Sequence, residues 1–226
     1  MSKNSRKDIL SERLDYTFIS LLSNKISVVI IGGGKAGFIK CKSFAKKGCK
    51  VTVVSKEFNP SFNDLTNLDN VELIKDFYKK SYIVHMHLVV IAVNDKVDNV
   101  KIKGDCENNY KLYLDCSNFK DGLFITPIQR QMKNLSFSIH TKAGNPKASI
   151  LLADSSESKL NDYADFTEYI GGLRKKVKKL DYKNEFMGFV CSEDFMFFYS
   201  KGAHESVLNM FYGGEDFEFK NCYKKE

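Results

Sequence analysis

Three glycines near the start of the chain have the spacing of a phosphate-binding turn. Gly32, Gly34 and Gly37 follow the β-branched run from Ile26 to Ile31 and precede a segment with helical spacing. In such a turn the first glycine permits the tight bend, the second lets a pyrophosphate approach the backbone, and the third lets the helix pack against the strand. Free N–H groups at the helix start then favour the phosphates. The pattern predicts a dinucleotide site rather than an ordinary glycine-rich turn in an α/β domain. Its predicted residues are Gly32, Gly33, Gly34, Lys35, Ala36 and Gly37.

The choice between NAD and NADP depends on the end of the second strand. The fingerprint usually places an acidic residue there, which holds the ribose hydroxyls. This chain has Ser55 and Lys56 after the run from Val51 to Val54, with Glu57 slightly later. Ser55 could hydrogen-bond a ribose, whereas Lys56 could tolerate a 2′-phosphate. These residues therefore leave both NAD and NADP open as the cofactor.

Polar residues also end two later strands. The continuous apolar run from Leu88 to Val93 is typical of a central parallel strand. Asn94 and Asp95 follow it at the carboxyl edge, where α/β sheets bind ligands, and we expect both to contact the cofactor. Asp115 ends the next predicted strand, Tyr110 to Leu114. Its carboxylate is either a proton acceptor at this edge or a turn or helix-cap residue before Ser117.

The elements that must position these residues alternate between strands and helices up to about residue 115. This alternation predicts a doubly wound parallel sheet of the Rossmann type. The other predicted elements are a helix from Lys35 to Lys47 closed by Gly48, a strand from Val71 to Ile74 and a helix from Val97 to Asn108. The apolar segment Tyr16 to Leu22 is expected to pack on the sheet edge.

The pattern changes after residue 115. Leu123 to Thr126 and Leu135 to Thr141 are expected to form two strands of a small second sheet. Ala148 to Leu180 has helical spacing, and the aromatic-rich stretch from Phe186 to Phe219 predicts a small helical cap.

Composition limits the class of protein. The chain has 226 residues, of which 43% are hydrophobic and 28% charged, as is ordinary for a soluble globular protein. No apolar run approaches the length of about 20 residues that spans a bilayer, so no membrane partner is expected. The N-terminus lacks an apolar signal core, which favours a cytoplasmic location. Six cysteines without a C-x-x-C pair are expected to be reduced thiols rather than metal ligands.

The net charge of +7 has two explanations. The basic run from Arg174 to Lys179 is either a solvated helix face or a patch that attracts an anionic ligand. No nucleic-acid-binding motif accompanies it, and no nucleic-acid partner is expected. His85 and His87 lack further ligands, and we treat them as structural.

The order of motifs resembles a known family, precorrin-2 dehydrogenase, which includes the NAD-binding module of siroheme synthase. The resemblance covers about residues 16 to 150. It rests on the segments VVIIGGGKAG, VTVVS, LVVIAVND, YLDCSNF, FITP and FSIHTKAGNP.

The resemblance implies NAD-dependent oxidation of precorrin-2 to sirohydrochlorin, with ferrous iron insertion in some members. It also implies a homodimer with a Rossmann domain (1–115), a dimerisation region (116–150) and a helical C-terminal domain (151–226). Asp115 matches the family's general-base or metal-handling aspartate, and Thr141 falls where the family often has a serine. We expect Thr141 and His140 to contact the substrate, although His140 could equally be structural.

Three segments depart from the family pattern: Lys142 to Pro146, Asn94-Asp95 and the residues around Asp115. They leave open a second interpretation, a non-catalytic protein of the same fold that binds a dinucleotide or a tetrapyrrole. An unrelated Rossmann reductase is a third interpretation, but the C-terminal half lacks the catalytic motif that it would need.

Overall fold

The structure, a computed structural model, describes residues 16–141 and 145–213, apart from the side chain of Asp162. The chain divides into two compact units, Met1–Thr126 and Pro127–Glu226. Within the described ranges, no helix has the length and apolar character needed to cross a membrane. The domain boundaries expected at residues 115 and 150 stay a prediction.

A five-stranded parallel sheet forms the centre of the N-terminal unit, with the strand order β3-β2-β1-β4-β5. The strands are β1 (Ser27–Gly33), β2 (Lys50–Phe58), β3 (Val71–Lys75), β4 (Leu88–Ile91) and β5 (Leu112–Asp115). The helices between them are α1 (Lys35–Ala45), α2 (Ser81–Val84) and α3 (Lys96–Asn108). This arrangement confirms the predicted Rossmann-type sheet.

Each face of the sheet has its own apolar layer, because successive strand residues point to opposite faces. In β1, Val28 and Ile30 belong to the layer that contains Cys41 of α1, whereas Val29 belongs to the layer that contains Ile102 of α3. All five side chains are fully buried. Because both faces are covered, the strands are continuous apolar runs, which is why the sequence predicted them well.

Local backbone conformation sets two element boundaries, the end of α1 and the start of β5. Gly48, three residues after the end of α1, has a φ of 85°, as expected for a glycine that closes a helix. The fifth strand begins at Leu112 and not at Tyr110 as predicted. Tyr110 has a φ of 52° and is 96% exposed, and a residue in this left-handed conformation cannot continue a strand.

The apolar segment before β1 does not pack as predicted. Phe18, Ile19 and Leu22 are 62%, 69% and 65% exposed, and a short 3-10 turn, Ser23–Lys25, separates them from the sheet. The prediction that Tyr16 to Leu22 covers the sheet edge is therefore wrong, because apolar composition alone does not specify a packing partner.

The predicted strand Leu123 to Thr126 is also wrong. The backbone N–H groups of Leu123 and Phe124 both donate to the carbonyl oxygen of Tyr113, so this segment is tied to β5 without forming a ladder. The first strand of the small sheet, β6 (Ile128–Gln131), begins after Pro127.

The C-terminal unit begins with an antiparallel hairpin. β6 pairs with β7 (Ser136–Ile139), which confirms the second predicted strand in a shorter form. Of the paired residues, Ile128, Arg130, Phe137 and Ile139 are half-buried, and those between them are exposed. The hairpin packs on α4 (Pro146–Lys176).

The start of α4 follows from its capping residues. The side chain of Asn145 accepts a hydrogen bond from Ala148 N at 3.1 Å, and Pro146 takes the first helical position, where no N–H is needed. The helix therefore begins two residues before the predicted Ala148. Gly144, which the sequence placed at this break, lies outside the described residues.

The helical cap predicted from the aromatic-rich stretch is present. It consists of α5 (Lys183–Val190), α6 (Glu193–Ser200) and α7 (His204–Tyr212). Phe186, Phe195 and Leu208 are fully buried in one cluster with Leu173 of α4. Phe219, the predicted end of this region, lies outside the described residues.

The core of this cap gives a prediction about stability. Leu208 is completely buried in α7, whereas Met210 in the same helix is 70% exposed. Leu208→Ala should lower the free energy of unfolding of the C-terminal unit by about 2–5 kcal/mol, because it removes buried methyl groups and leaves a cavity. Met210→Ala, the matched control, should change it by less than about 0.5 kcal/mol. Urea unfolding followed by circular dichroism measures both, and equal losses would contradict this core.

Candidate functional site

A cleft of about 530 Å³ lies at the carboxyl ends of β1, β2 and β4 in the N-terminal unit. This is the edge of an open α/β sheet at which ligands bind. It includes all but one of the residues predicted to bind the cofactor, the buried Gly37 being the exception. The residues that line it are Ile31, Gly32, Gly33, Gly34, Lys35, Ala36, Val54, Ser55, Lys56, Glu57, Asp76, Tyr78, Ala92, Val93, Asn94, Asp95 and Asp98.

Two of the fingerprint glycines are required by the protein itself. Gly32 has a φ of 121°, and a Cβ there would lie 2.3 Å from the carbonyl oxygen of Ala92. A Cβ on Gly37 would lie 2.0 Å from the carbonyl oxygen of Gly32. A side chain at position 37 would push the start of α1 away from the end of β1, and one at position 32 would collide with the backbone that follows β4.

Gly34 is different, because nothing in the described protein fills the space beside it. Its φ is −77°, and no atom lies within 4 Å of the position that a Cβ would occupy. Gly34 precedes α1, and no side chain caps this helix start. The first N–H groups of a helix have no partner inside the helix, so those of Lys35 and Ala36 are available at the cleft. Open space beside free N–H donors fits a pyrophosphate.

Gly33 has a structural role that the sequence did not reveal. A Cβ there would lie 2.3 Å from the carbonyl oxygen of Glu57, and its own carbonyl oxygen accepts a hydrogen bond from Asn59 N at 2.8 Å. β2 extends past its apolar core and runs beside the glycine turn. This extension brings Ser55, Lys56 and Glu57 to the cleft.

Two side chains in the last part of β2, Ser55 and Lys56, are already engaged with the protein. Ser55 Oγ donates to the carbonyl oxygen of Glu57 at 2.7 Å, which leaves the hydroxyl oxygen free to accept. The ammonium group of Lys56 lies 4.5 Å from the centre of the Phe77 ring, in a cation–π contact.

Asp76 is a cleft residue that the sequence reasoning missed. It follows β3, and its backbone N–H donates to the carbonyl oxygen of Ser55 at 3.1 Å. Its carboxylate accepts hydrogen bonds from Lys79 Nζ, from Tyr82 Oη and from Phe77 N, and these lower its pKa to about 2. The signal was available, because an aspartate directly after a parallel strand lies at the same sheet edge as the other strand ends.

Asn94 and Asp95, which follow the last residue of β4 after Ala92 and Val93, lie in the cleft, and Asp95 also organises α3. Asp95 Oδ1 accepts hydrogen bonds from Val97 N at 2.8 Å and Asp98 N at 2.9 Å, so it is the N-cap of this helix. Asn94 also lines the cleft, as does Asp98, which the sequence reasoning did not name.

Asp115 is fully buried at the end of β5, the strand next to β4, and it is not among the cleft residues. Its Oδ2 forms an ion pair with Lys103 Nζ at 2.6 Å and lies 3.3 Å from Asn99 Nδ2. Its Oδ1 accepts hydrogen bonds from the backbone N–H and the hydroxyl of Ser117 and from Asn118 N. Burial alone would raise the pKa of this carboxyl, but the bonds from Lys103 and Ser117 hold the pKa at about 2.

The predicted substrate residues belong to the C-terminal unit. Thr141 Oγ1 accepts a hydrogen bond from Asn145 N at 3.1 Å and lies 3.1 Å from Ser149 Oγ, so it braces the start of α4. His140 follows β7 and is half-buried. Residues 142–144, in which the sequence departs from the family pattern, lie outside the described residues.

Of the two histidines treated as structural, His87 has a structural hydrogen bond. His87 Nδ1 accepts a hydrogen bond from Ser27 N at 3.0 Å, which connects the start of β4 to β1. Within residues 16–141 and 145–213, no three His, Cys, Asp or Glu residues are grouped as a metal site would require.

Comparisons with known proteins agree with this geometry. The family model NAD_binding_7, which describes NAD(P)-binding domains, matches residues 19–128. A precorrin-2 dehydrogenase from Priestia megaterium is 22% identical over 156 residues, which cover 69% of this chain and 77% of that protein. A siroheme synthase from Pseudoalteromonas translucida is 22% identical over 160 residues, which cover 70% of this chain and 33% of that protein. The chain therefore spans about a third of the siroheme synthases that it matches.

A solved structure has the same fold. The chain matches that of SirC, a precorrin-2 dehydrogenase, with a TM-score of 0.64 and 21% identity over 86% of this chain and 98% of that chain. This likeness extends the agreement in fold beyond the dinucleotide-binding region.

The contrast between the glycines gives a prediction about binding. Gly34→Leu should abolish binding of NAD or NADP while the fold survives, because its side chain enters the open space beside α1. Calorimetric titration with each dinucleotide measures the loss, and unchanged affinity in the folded variant would contradict the site. Gly32→Ala is the matched control, and it should cost more than about 1 kcal/mol of stability because of its φ of 121°.

Proposed function

We propose that this chain, which belongs to the family of precorrin-2 dehydrogenases and siroheme synthases, oxidises precorrin-2 to sirohydrochlorin with NAD. The observation that carries the proposal is the open space beside Gly34 at the start of α1. No packing requirement of the described protein explains a glycine there, whereas the approach of a pyrophosphate does. A role in siroheme biosynthesis, in the cytoplasm, follows from the same premise.

The oxidation removes a hydride and a proton from the macrocycle. NAD, when bound, accepts the hydride. The glycine turn and the N–H groups of α1 would hold the pyrophosphate, and Asn94 and Asp95, in the segment between β4 and α3, line the same cleft. His140 and Thr141 of the C-terminal unit are the proposed contacts to precorrin-2.

Asp115 is the proposed proton acceptor. Its pKa of about 2 keeps the carboxylate ionised at neutral pH, the form that can take a proton. The same low pKa makes it a weaker base than a group that titrates near neutral pH. In a chain that also inserts ferrous iron, this carboxylate is the candidate group to guide the ion.

The surroundings of Asp115 favour a second candidate function. The carboxylate is fully buried, and Lys103, Asn99, Ser117 and Asn118 occupy both of its oxygens. A carboxylate held in this way stabilises the end of β5 without contacting a substrate. The alternative is therefore a non-catalytic protein of the same fold that binds a dinucleotide or a tetrapyrrole.

Incubation with precorrin-2 and NAD separates these functions. The dehydrogenase should produce the absorbance of sirohydrochlorin together with NADH, and Gly34→Leu should produce neither. Asp115→Asn should slow the oxidation by roughly 10²-fold or more, the scale of losing a positioned general base, with NAD affinity unchanged. A parent protein that binds NAD but forms no product supports the non-catalytic alternative.

Acid unfolding measures the structural contribution of Asp115, and the activity of the same variant shows whether the residue also has a chemical role. Its pKa in the fold, about 2, lies below the usual value of 3.8, so its contribution to stability is present above about pH 4 and is lost as the pH falls towards 2. Asp115→Asn should lack this pH dependence whichever function is correct. If the folded variant oxidises precorrin-2 as fast as the parent, Asp115 only stabilises the end of β5.

We also propose that the chain forms a homodimer through its C-terminal unit. Three consecutive residues of α4, Ile150, Leu151 and Leu152, are 43%, 70% and 49% exposed. Isologous burial of the face around Leu151, the most exposed of the three, would stabilise a dimer. Light scattering at micromolar concentration should give twice the 25.8 kDa of one chain, and Leu151→Glu should shift the mass towards the monomer. A monomeric parent protein would contradict the proposal.

A further inference from the structure

The position directly after the apolar core of β2 lacks the acidic residue that usually holds the adenosine ribose of NAD, and Glu57 follows only near the end of the strand. Ser55 and Lys56 occupy that place, and their sequence is compatible with either cofactor. The structure supplies a carboxylate from the neighbouring strand instead. Ser55 and Lys75 are register partners in the pairing of β2 and β3, so Asp76 follows at the same level of the sheet edge. The hydrogen bond from Asp76 N to the carbonyl oxygen of Ser55 fixes this position.

The carboxylate of Asp76 is ionised and partly accessible. Three donors, Phe77 N, Lys79 Nζ and Tyr82 Oη, fix its orientation, and its side chain remains 24% exposed. A carboxylate has about four acceptor positions, so one stays open for a ribose hydroxyl. The bonds from Lys79 and Tyr82 hold its pKa at about 2, and it is charged at any physiological pH.

The two lysines beside Asp76, Lys56 and Lys79, already have partners in the protein. Lys56 Nζ lies over the Phe77 ring, and Lys79 Nζ lies 2.5 Å from the Asp76 carboxylate. Glu57, a second acidic residue, also lines the cleft. A 2′-phosphate carries about −1.5 to −2 charges at neutral pH, so it would meet negative charge here.

We propose that Asp76 selects NAD against NADP, by accepting a hydrogen bond from the adenosine ribose and repelling a 2′-phosphate. The inference rests on the proposed function, because it takes the cleft as the dinucleotide site. It makes β3, and not β2, the strand that supplies the selecting carboxylate.

Calorimetric titrations with NAD and with NADP test the proposal without the precorrin-2 reaction. The parent protein should bind NAD at least about tenfold more tightly, since like charges in contact are costly. Asp76→Asn removes the charge and leaves Lys79 free, so it should reduce this preference about tenfold, chiefly by strengthening NADP binding. Asp69→Asn, an exposed carboxylate outside the cleft, is the control for the change in net charge and should keep the ratio of the parent.

A second variant keeps the test decisive if Asp76→Asn does not fold. Lys79→Ala retains the carboxylate without its counter-ion, and it should widen the preference for NAD. Equal binding of both cofactors by the parent, or an unchanged ratio in the variants, would overturn the role of Asp76. Binding of neither dinucleotide would also overturn it, together with the cofactor of the proposed function. NAD selectivity that depends on Asp76, without any oxidation of precorrin-2, would leave this inference standing and refute only the dehydrogenase.

Discussion

The close approach of α1 to the end of β1 is the constraint on which the candidate site depends. The helix can begin directly behind the strand only because position 37 has no side chain, since a Cβ there would lie 2.0 Å from the carbonyl oxygen of Gly32. Gly32 in turn lets the turn pass close to the backbone after β4, since a Cβ there would lie 2.3 Å from the carbonyl oxygen of Ala92. The same approach directs the first N–H groups of α1 towards the cleft. The close packing of the backbone therefore creates an anion site from N–H groups alone, without a charged side chain.

At the carboxyl edge of the sheet, the role of each aspartate depends on its hydrogen-bond partners and not on its residue type. Asp95 caps a helix, Asp115 is paired with Lys103 inside the protein, and Asp76 is held by Lys79 and Tyr82 while staying partly exposed. These three aspartates lie at or beyond the carboxyl ends of β4, β5 and β3 and look equivalent in the sequence. Their hydrogen bonds give them different accessibility and therefore different chemistry.

The parallel sheet was predictable because its strands are buried on both faces and read as apolar runs. The small sheet was harder to place. β6 consists of Ile128 followed by polar residues, whereas the apolar stretch before Pro127 looks more like a strand. That stretch is instead tied to Tyr113 by two backbone hydrogen bonds. The apolar residues of this stretch belong to a loop and do not alternate between two faces as strand residues do. Prediction from hydrophobic pattern therefore placed the strand too early.

The sequence by itself determined the glycine turn, the order of the strands along the chain and the helical character of the C-terminal half. These follow from local sterics and from hydrophobic periodicity, which act within a few residues. Only the tertiary structure decided that Gly34 borders open space, that Asp115 is buried against Lys103, and that Asp76 lies beside Ser55. Each of these depends on contacts between segments far apart in the chain, because the pairing of parallel strands and the packing of helices on them set which side chains meet.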